Sequence, residues 1–109
     1  MAARRHAVQE AVADPARHSA TAELLRALAN PHRVAIVLEL ADGERCVHEL
    51  VDALGLPQPL ISQHLRVLKT EQLVRASRRG REVAYLLSDD HVVHIVRDAL
   101  THATERASR

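Results

Sequence analysis

The chain has no phenylalanine, no tryptophan and a single tyrosine, Tyr85. Its core must therefore be aliphatic, built from Leu, Val, Ile and Ala. Cysteine is nearly absent as well. Cys46 stands alone, which excludes an intrachain disulfide and fits a reducing compartment. There are only three glycines, Gly43, Gly55 and Gly80, each where a break in the pattern is expected. No apolar run approaches the roughly 20 residues needed to span a bilayer, and the first residues are not signal-like. The expectation is a soluble, cytoplasmic protein with no membrane partner. Charge of one sign is also missing. The formal net charge is +1, so the chain as a whole does not by itself suggest a nucleic-acid binder.

What is present is legible. At 109 residues, with 47% hydrophobic side chains, the chain suits one small domain and is not compositionally disordered. Residues 1–18 are Ala-rich and charged, with Pro15 as a breaker, so they read as a flexible tail before a domain at 19–109. Residues 19–29 look helical, with Leu24, Leu25 and Leu28 on one face. Asn30 followed by Pro31 reads as an N-cap and a first helical proline, opening a helix over 31–41. A third helix spans 47–54 and stops at Gly55. A fourth spans 57–71, its two prolines in the first turn, where a missing N–H costs least. Strand-like pieces follow at 73–77 and 82–87, the second placing Val83, Tyr85 and Leu87 on one face. A last helix covers 89–105, capped by Ser88 or Asp89.

Two short helices, a tight glycine turn, a longer helix and a hairpin form the order of a winged helix-turn-helix. A generic small α+β domain is the alternative. The charge distribution helps to choose between the two, with a solvated basic loop as its plainer reading. Residues 66–81 hold Arg66, Lys69, Arg75, Arg78, Arg79 and Arg81 against Glu71 alone, so a near-neutral chain conceals a basic helix end and hairpin suited to phosphate contact. On the fourth helix Ile61, Leu65 and Leu68 point to the core. Gln58, Ser62, Gln63, Arg66 and Lys69 occupy the other side, with His64 near its edge. Glutamine can pair with adenine, and Ser or His can reach other base edges; Arg66 and Lys69 suit phosphates. The expected DNA contacts are therefore Gln58, Ser62, Gln63, His64, Arg66, Lys69, Arg78, Arg79 and Arg81.

The last helix reads DDHVVHIVRDALTHATE. His91 and His102 are eleven residues apart, which at about 100° per residue places them on one face. Glu105 adjoins that face, and Asp89 can curl toward it from the helix start. Eleven residues rise about 16.5 Å, whereas the ligand atoms of one tetrahedral zinc sit only about 3–4 Å apart. One helix cannot close such a site. Two antiparallel copies can: Asp89 and His91 of one meet His102 and Glu105 of the other, and two-fold symmetry repeats the site. Two imidazoles with two carboxylates suit Zn²⁺ or Co²⁺, with Ni²⁺ if ligands are added. On spacing alone, an ordinary surface or interface helix stays open as the alternative.

Residues 22–106 as a whole resemble the ArsR/SmtB family of metal-sensing repressors, and in particular its zinc-sensing branch with a C-terminal-helix site. LLRALANPHRVAIVLEL is similar to the family's start, CVHELVDALGLPQPLISQHLRVLKTEQLV to its helix-turn-helix, and RRGREVAYLL to its wing. Asp89, His91, His102 and Glu105 carry its D-x-H-x10-H-x2-E signature. The resemblance implies a mainly α fold with a β-hairpin wing, homodimeric through the first and last helices. It implies a repressor that holds double-stranded operator DNA when metal-free and lets go when zinc binds. It also implies that the second ring nitrogen of His102 bonds to backbone near Gln72. The family's arsenic and cadmium sensors carry Cys-x-Cys where this chain has Cys46 and His48, so a pair of thiolates is missing. An auxiliary metal site would use Cys46 and Glu49, with only His6 and His18 as N-terminal donors. Cys46 is expected mainly to be a small, half-buried residue. Rival readings are a nickel or cobalt sensor of the same architecture, a metal-independent winged-helix regulator and a redox regulator acting through Cys46. A zinc hydrolase is disfavoured, since four protein ligands leave no open position; no enzyme is expected.

Overall fold

Capping chemistry sets the helix boundaries. The computed structural model describes residues 9–10 and 12–108; half of the expected tail, His6 included, lies outside the described residues. Helix α1 is Pro15–Leu28. It begins four residues earlier than the apolar pattern predicts, because Asp14 caps it and accepts a hydrogen bond from the Ala16 N–H at 3.0 Å. Pro15 thus opens a helix, at the position where its missing N–H is harmless, and does not break one. Helix α2, Pro31–Leu40, starts as expected: the Asn30 side chain accepts from the N–H groups of His32 and Arg33. Helix α3, Val47–Leu54, ends at Gly55, which adopts φ 66°. Helix α4 is Gln58–Thr70. Helix α5, Asp90–Ala107, is capped by Asp89, whose Oδ1 accepts from His91 and Val92.

Three strands form one antiparallel sheet. Strands β2 (Val74–Arg79) and β3 (Glu82–Leu87) make the hairpin, with Arg79 opposite Glu82 at its tip. Strand β1, only Arg45–Cys46, pairs with β3 through Arg45 and Tyr85, and through Cys46 and Ala84. The order is β1-β3-β2. The periodicity of β3 is partly as expected, since Tyr85 and Leu87 pack against the core. Val83, on the same face but near the hairpin tip, is exposed, whereas Ala84 on the opposite face is fully buried beside β1.

The core is aliphatic. Ile36 and Val37 of α2, Leu50 of α3, and Ile61, Leu65 and Leu68 of α4 are buried together with Leu73, Val74, Val92 and Val96. Each fully buried Leu, Ile or Val side chain contributes roughly 1.5–3 kcal/mol. This core seats α4 on α2 and α3 and leaves the far side of α4 exposed next to the hairpin. The element order and sheet are those of a winged helix-turn-helix.

Candidate functional site

Helix α4 separates its two faces at a spacing of three and four residues. Ile61, Leu65 and Leu68 are buried. Gln58, Gln63, Arg66 and Lys69 are exposed and Ser62 is half-buried. The side chains of Arg66 and Lys69 make no hydrogen bond or ion pair among the described residues. They are free to meet an anion.

His64 departs from the expected reading face. It is 7% exposed and so cannot reach a base edge without leaving the core. Three residues after Ile61, it falls inside the apolar stripe. Its Nδ1 lies 3.3 Å from Arg33 Nη1 and its Nε2 3.4 Å from His32 Nδ1. Arginine only donates, so Nδ1 is the acceptor and Nε2 carries the proton. Burial, then the charge of Arg33 and then His32, push the imidazole pKa down. Arg33 Nε also donates to the Ala27 carbonyl at 2.5 Å. His64 therefore ties α4 to α2 and, through Arg33, to the end of α1.

The wing holds two kinds of arginine. Arg75, Arg78 and Arg81 are exposed, and their side chains make no hydrogen bond or ion pair among the described residues. Arg79 is engaged. Its Nη2 donates to Glu49 at 2.5 Å and to the Cys46 sulfur at 3.2 Å, and its Nη1 lies 3.6 Å from Glu44. Arg79, expected as a DNA contact, is thus already bound to two carboxylates of its own chain. The sulfur and Glu49 hold its guanidinium more firmly protonated than usual. Glu49 also accepts the Cys46 backbone N–H at 2.8 Å. That bond first, with Arg79 adding to it against the effect of burial, holds its carboxyl below the ordinary value. Cys46 is 2% exposed, more deeply buried than expected. Its thiol donates to Glu82 at 3.3 Å. Burial and the Glu82 bond raise its pKa, with Arg79 opposing, so this sulfur is not poised as a free thiolate. Cys46 and Glu49, the expected auxiliary metal pair, do lie together, and Arg79 Nη2 contacts both. His48 and Glu82, 3.2 Å apart, complete the cluster; sequence reasoning had no signal for the link to Glu82, 34 residues away in the chain.

Helix α5 carries Asp89, His91, His102 and Glu105 on its exposed side. Asp89 uses Oδ1 as the helix cap, which leaves its second oxygen available. Among the described residues of one chain, no three His, Cys, Asp or Glu side chains are placed to hold a metal ion together. The donor chemistry itself, two imidazoles and two carboxylates without competing side-chain partners among the described residues, fits a borderline divalent cation. At about 100° per residue, this ligand stripe borders an apolar strip on the same helix. Ile95, Ala99, Leu100 and Ala103 from α5 and Leu25 and Leu28 from α1 line an apolar trough. Leu25 and Leu100 are 48% and 47% exposed, a high proportion for leucines in a chain with so few large apolar residues at its surface. No helix among the described residues is long and apolar enough to cross a membrane.

Comparison with known proteins agrees with this architecture. The model of the family described as "Bacterial regulatory protein, arsR family" matches residues 30–76. The HTH-type transcriptional repressor SmtB of Mycobacterium tuberculosis is 61% identical over 88 residues, covering 81% of this chain and 65% of the repressor. This chain therefore spans somewhat less than two thirds of that relative's length. The HTH-type transcriptional regulator NmtR of the same organism is 39% identical, covering 75% of this chain and 68% of its own. Among solved structures, the homodimeric winged helix-turn-helix DNA-binding domain Mb0332 of Mycobacterium bovis superposes with a TM-score of 0.75. It is 32% identical and covers 83% of each chain.

Proposed function

Since the chain belongs to the bacterial arsR family of regulatory proteins, we propose that it is a zinc-responsive transcriptional repressor whose metal-free homodimer binds double-stranded operator DNA. The observation that carries this reading is on α5. Asp89, His91, His102 and Glu105 are side chains of metal-ligating type exposed along a helix that also lines an apolar trough, and among the described residues of one chain no three such groups converge. A second copy laid antiparallel along that trough brings Asp89 and His91 of one chain beside His102 and Glu105 of the other. These four residues would hold Zn²⁺. The bound ion supplies only charge and a cross-link between the two α5 helices. The remaining work belongs to the chain. Gln58, Ser62 and Gln63 offer polar groups to base edges. Arg66, Lys69, Arg78 and Arg81 offer charge to phosphates. His64 and Arg33 hold the reading helix to the ends of α1 and α2.

Regulation requires that the metal-bound dimer prefer a different spacing of its two reading helices from the one DNA requires. By linkage, DNA must then weaken zinc binding by the same factor, typically about 1–3 kcal/mol. The route suggested by family resemblance runs from the second ring nitrogen of His102 to backbone near Gln72. Histidine must be neutral to ligate, so acid competes with the metal.

The test is fluorescence anisotropy with a labelled duplex taken from upstream of the chain's own coding sequence. Zinc should release the wild-type chain by a factor of about 5–150 and leave His102→Ala bound. Equal binding by both, with and without zinc, would sink the metal switch and leave a metal-independent regulator. Titrations with Co²⁺ and Ni²⁺ in the same assay discriminate among the cations that suit this donor set.

A further inference from the structure

We propose that Arg79 is a positioning residue that clasps the wing to the start of α3, aiming Arg78 and Arg81 at DNA, and is not itself a phosphate contact. This rests on the DNA-binding reading above. Arg79 and Glu82 are the last paired residues of the hairpin, separated by Gly80 and Arg81. From this pair two arms reach the same place. Arg79 binds Glu49, Cys46 and Glu44. Glu82 accepts from the Cys46 thiol and lies against His48. Both edges of the hairpin tip are thereby fastened to residues 44–49, where α3 begins. Side chains alternate along a strand, so Arg78 stands on the face of β2 opposite Arg79. Holding one face of the tip orients the other.

Charge bookkeeping points the same way. A phosphate approaching Arg79 would have to compete with two carboxylates already within 3.6 Å. Arg78 and Arg81 face no such competition among the described residues. A guanidinium fork can bridge two carboxylates and a sulfur at once. A lysine ammonium can serve a phosphate as a point charge but cannot span that set.

Three variants separate a clasp from a contact, read by anisotropy on the duplex named above without zinc. For a clasp, Arg79→Lys weakens binding by about threefold to tenfold; a phosphate contact would be nearly preserved by lysine. Glu49→Gln keeps an acceptor for the Cys46 N–H and removes the charge. The clasp requires it to weaken binding, whereas loss of a negative charge near DNA would otherwise tighten it. The double variant should bind no more weakly than Arg79→Lys alone, because both changes open one clasp. A DNA-free readout accompanies these. Arg79→Lys should speed reaction of Cys46 with a disulfide reagent, and Arg78→Ala should not. Thermal unfolding identifies any variant that fails to fold; Glu49→Gln then decides alone by the sign of its effect. Wild-type affinity in Arg79→Lys, or tighter binding by Glu49→Gln, overturns the clasp. A wild-type chain that does not bind the duplex overturns the DNA-binding reading and the clasp's purpose together, while the thiol readout still reports whether the wing is fastened.

Discussion

At His64 the fold keeps an imidazole neutral by enclosing it and placing the Arg33 charge 3.3 Å away. Its folded pKa lies below that of an unfolded histidine, near about 6.5. As pH falls below that value, the unfolded chain accepts a proton that the folded chain refuses. The stabilisation is therefore complete above pH 6.5 or so and declines on acidification, until the folded imidazole also protonates. The expected outcome is a thermal midpoint that falls between pH 7 and 5 in the wild-type chain. The fall should be shallower in His64→Gln, as followed by circular dichroism. Parallel pH profiles for the two would show that His64 is not the group responsible. Glu49, held below its ordinary carboxyl value, contributes in a lower window. Its share is lost only as pH falls through the carboxylate range, so the two effects are separable.

At the scale of the element, the end of α4 stands out. The Leu73 N–H bonds to the Leu68 carbonyl and the Gln72 N–H to the Lys69 carbonyl, both at 2.9 Å. This is the paired-bond stop that usually places glycine in the left-handed position. Here Gln72 occupies it with φ 60°. An L residue with a Cβ costs roughly 1–2 kcal/mol there, partly offset by the greater freedom glycine has in the unfolded chain. Gln72→Gly should therefore raise the unfolding free energy by about 1 kcal/mol, measured by urea denaturation. An unchanged or lower midpoint would mean that the glutamine side chain contributes more than its backbone costs. The same turn sets the direction in which the chain leaves α4 for the wing.

For the whole molecule, the decisive feature is the trough between α1 and α5. Leu25 and Leu100 are about half exposed, and Ile95 beside them is exposed as well. In the dimer reading, a second copy covers them. Leu100→Glu places a charge in that trough and, by symmetry, on both sides of the contact. The dimer dissociation constant should rise more than tenfold, or about 1.4 kcal/mol, in sedimentation equilibrium, with helix content retained. A variant that remains as dimeric as the wild type would place the contact elsewhere. Metal affinity provides a second measure. If each site is shared between copies, Leu100→Glu should weaken zinc binding without touching a ligand.

Local chemistry determined much of this protein directly from the sequence. Asn30 with Pro31, and Gly55, mark boundaries that depend only on neighbouring backbone groups. The apolar spacing of Ile61, Leu65 and Leu68 defines a core face in any setting. The distance between His91 and His102 excludes a site within one helix whatever surrounds it. Only the tertiary structure decided the rest. Strand β1 is two residues long and exists because β3 supplies its partner. His64 sits in the apolar stripe of α4, but only the packing of α2 against it supplies its partners Arg33 and His32. Arg79 is indistinguishable from Arg78 in sequence, yet two carboxylates and a sulfur from residues 44–49 claim it. Those outcomes depend on groups thirty or more residues away in the chain, where burial and Coulomb attraction act through space and sequence periodicity names none of the partners.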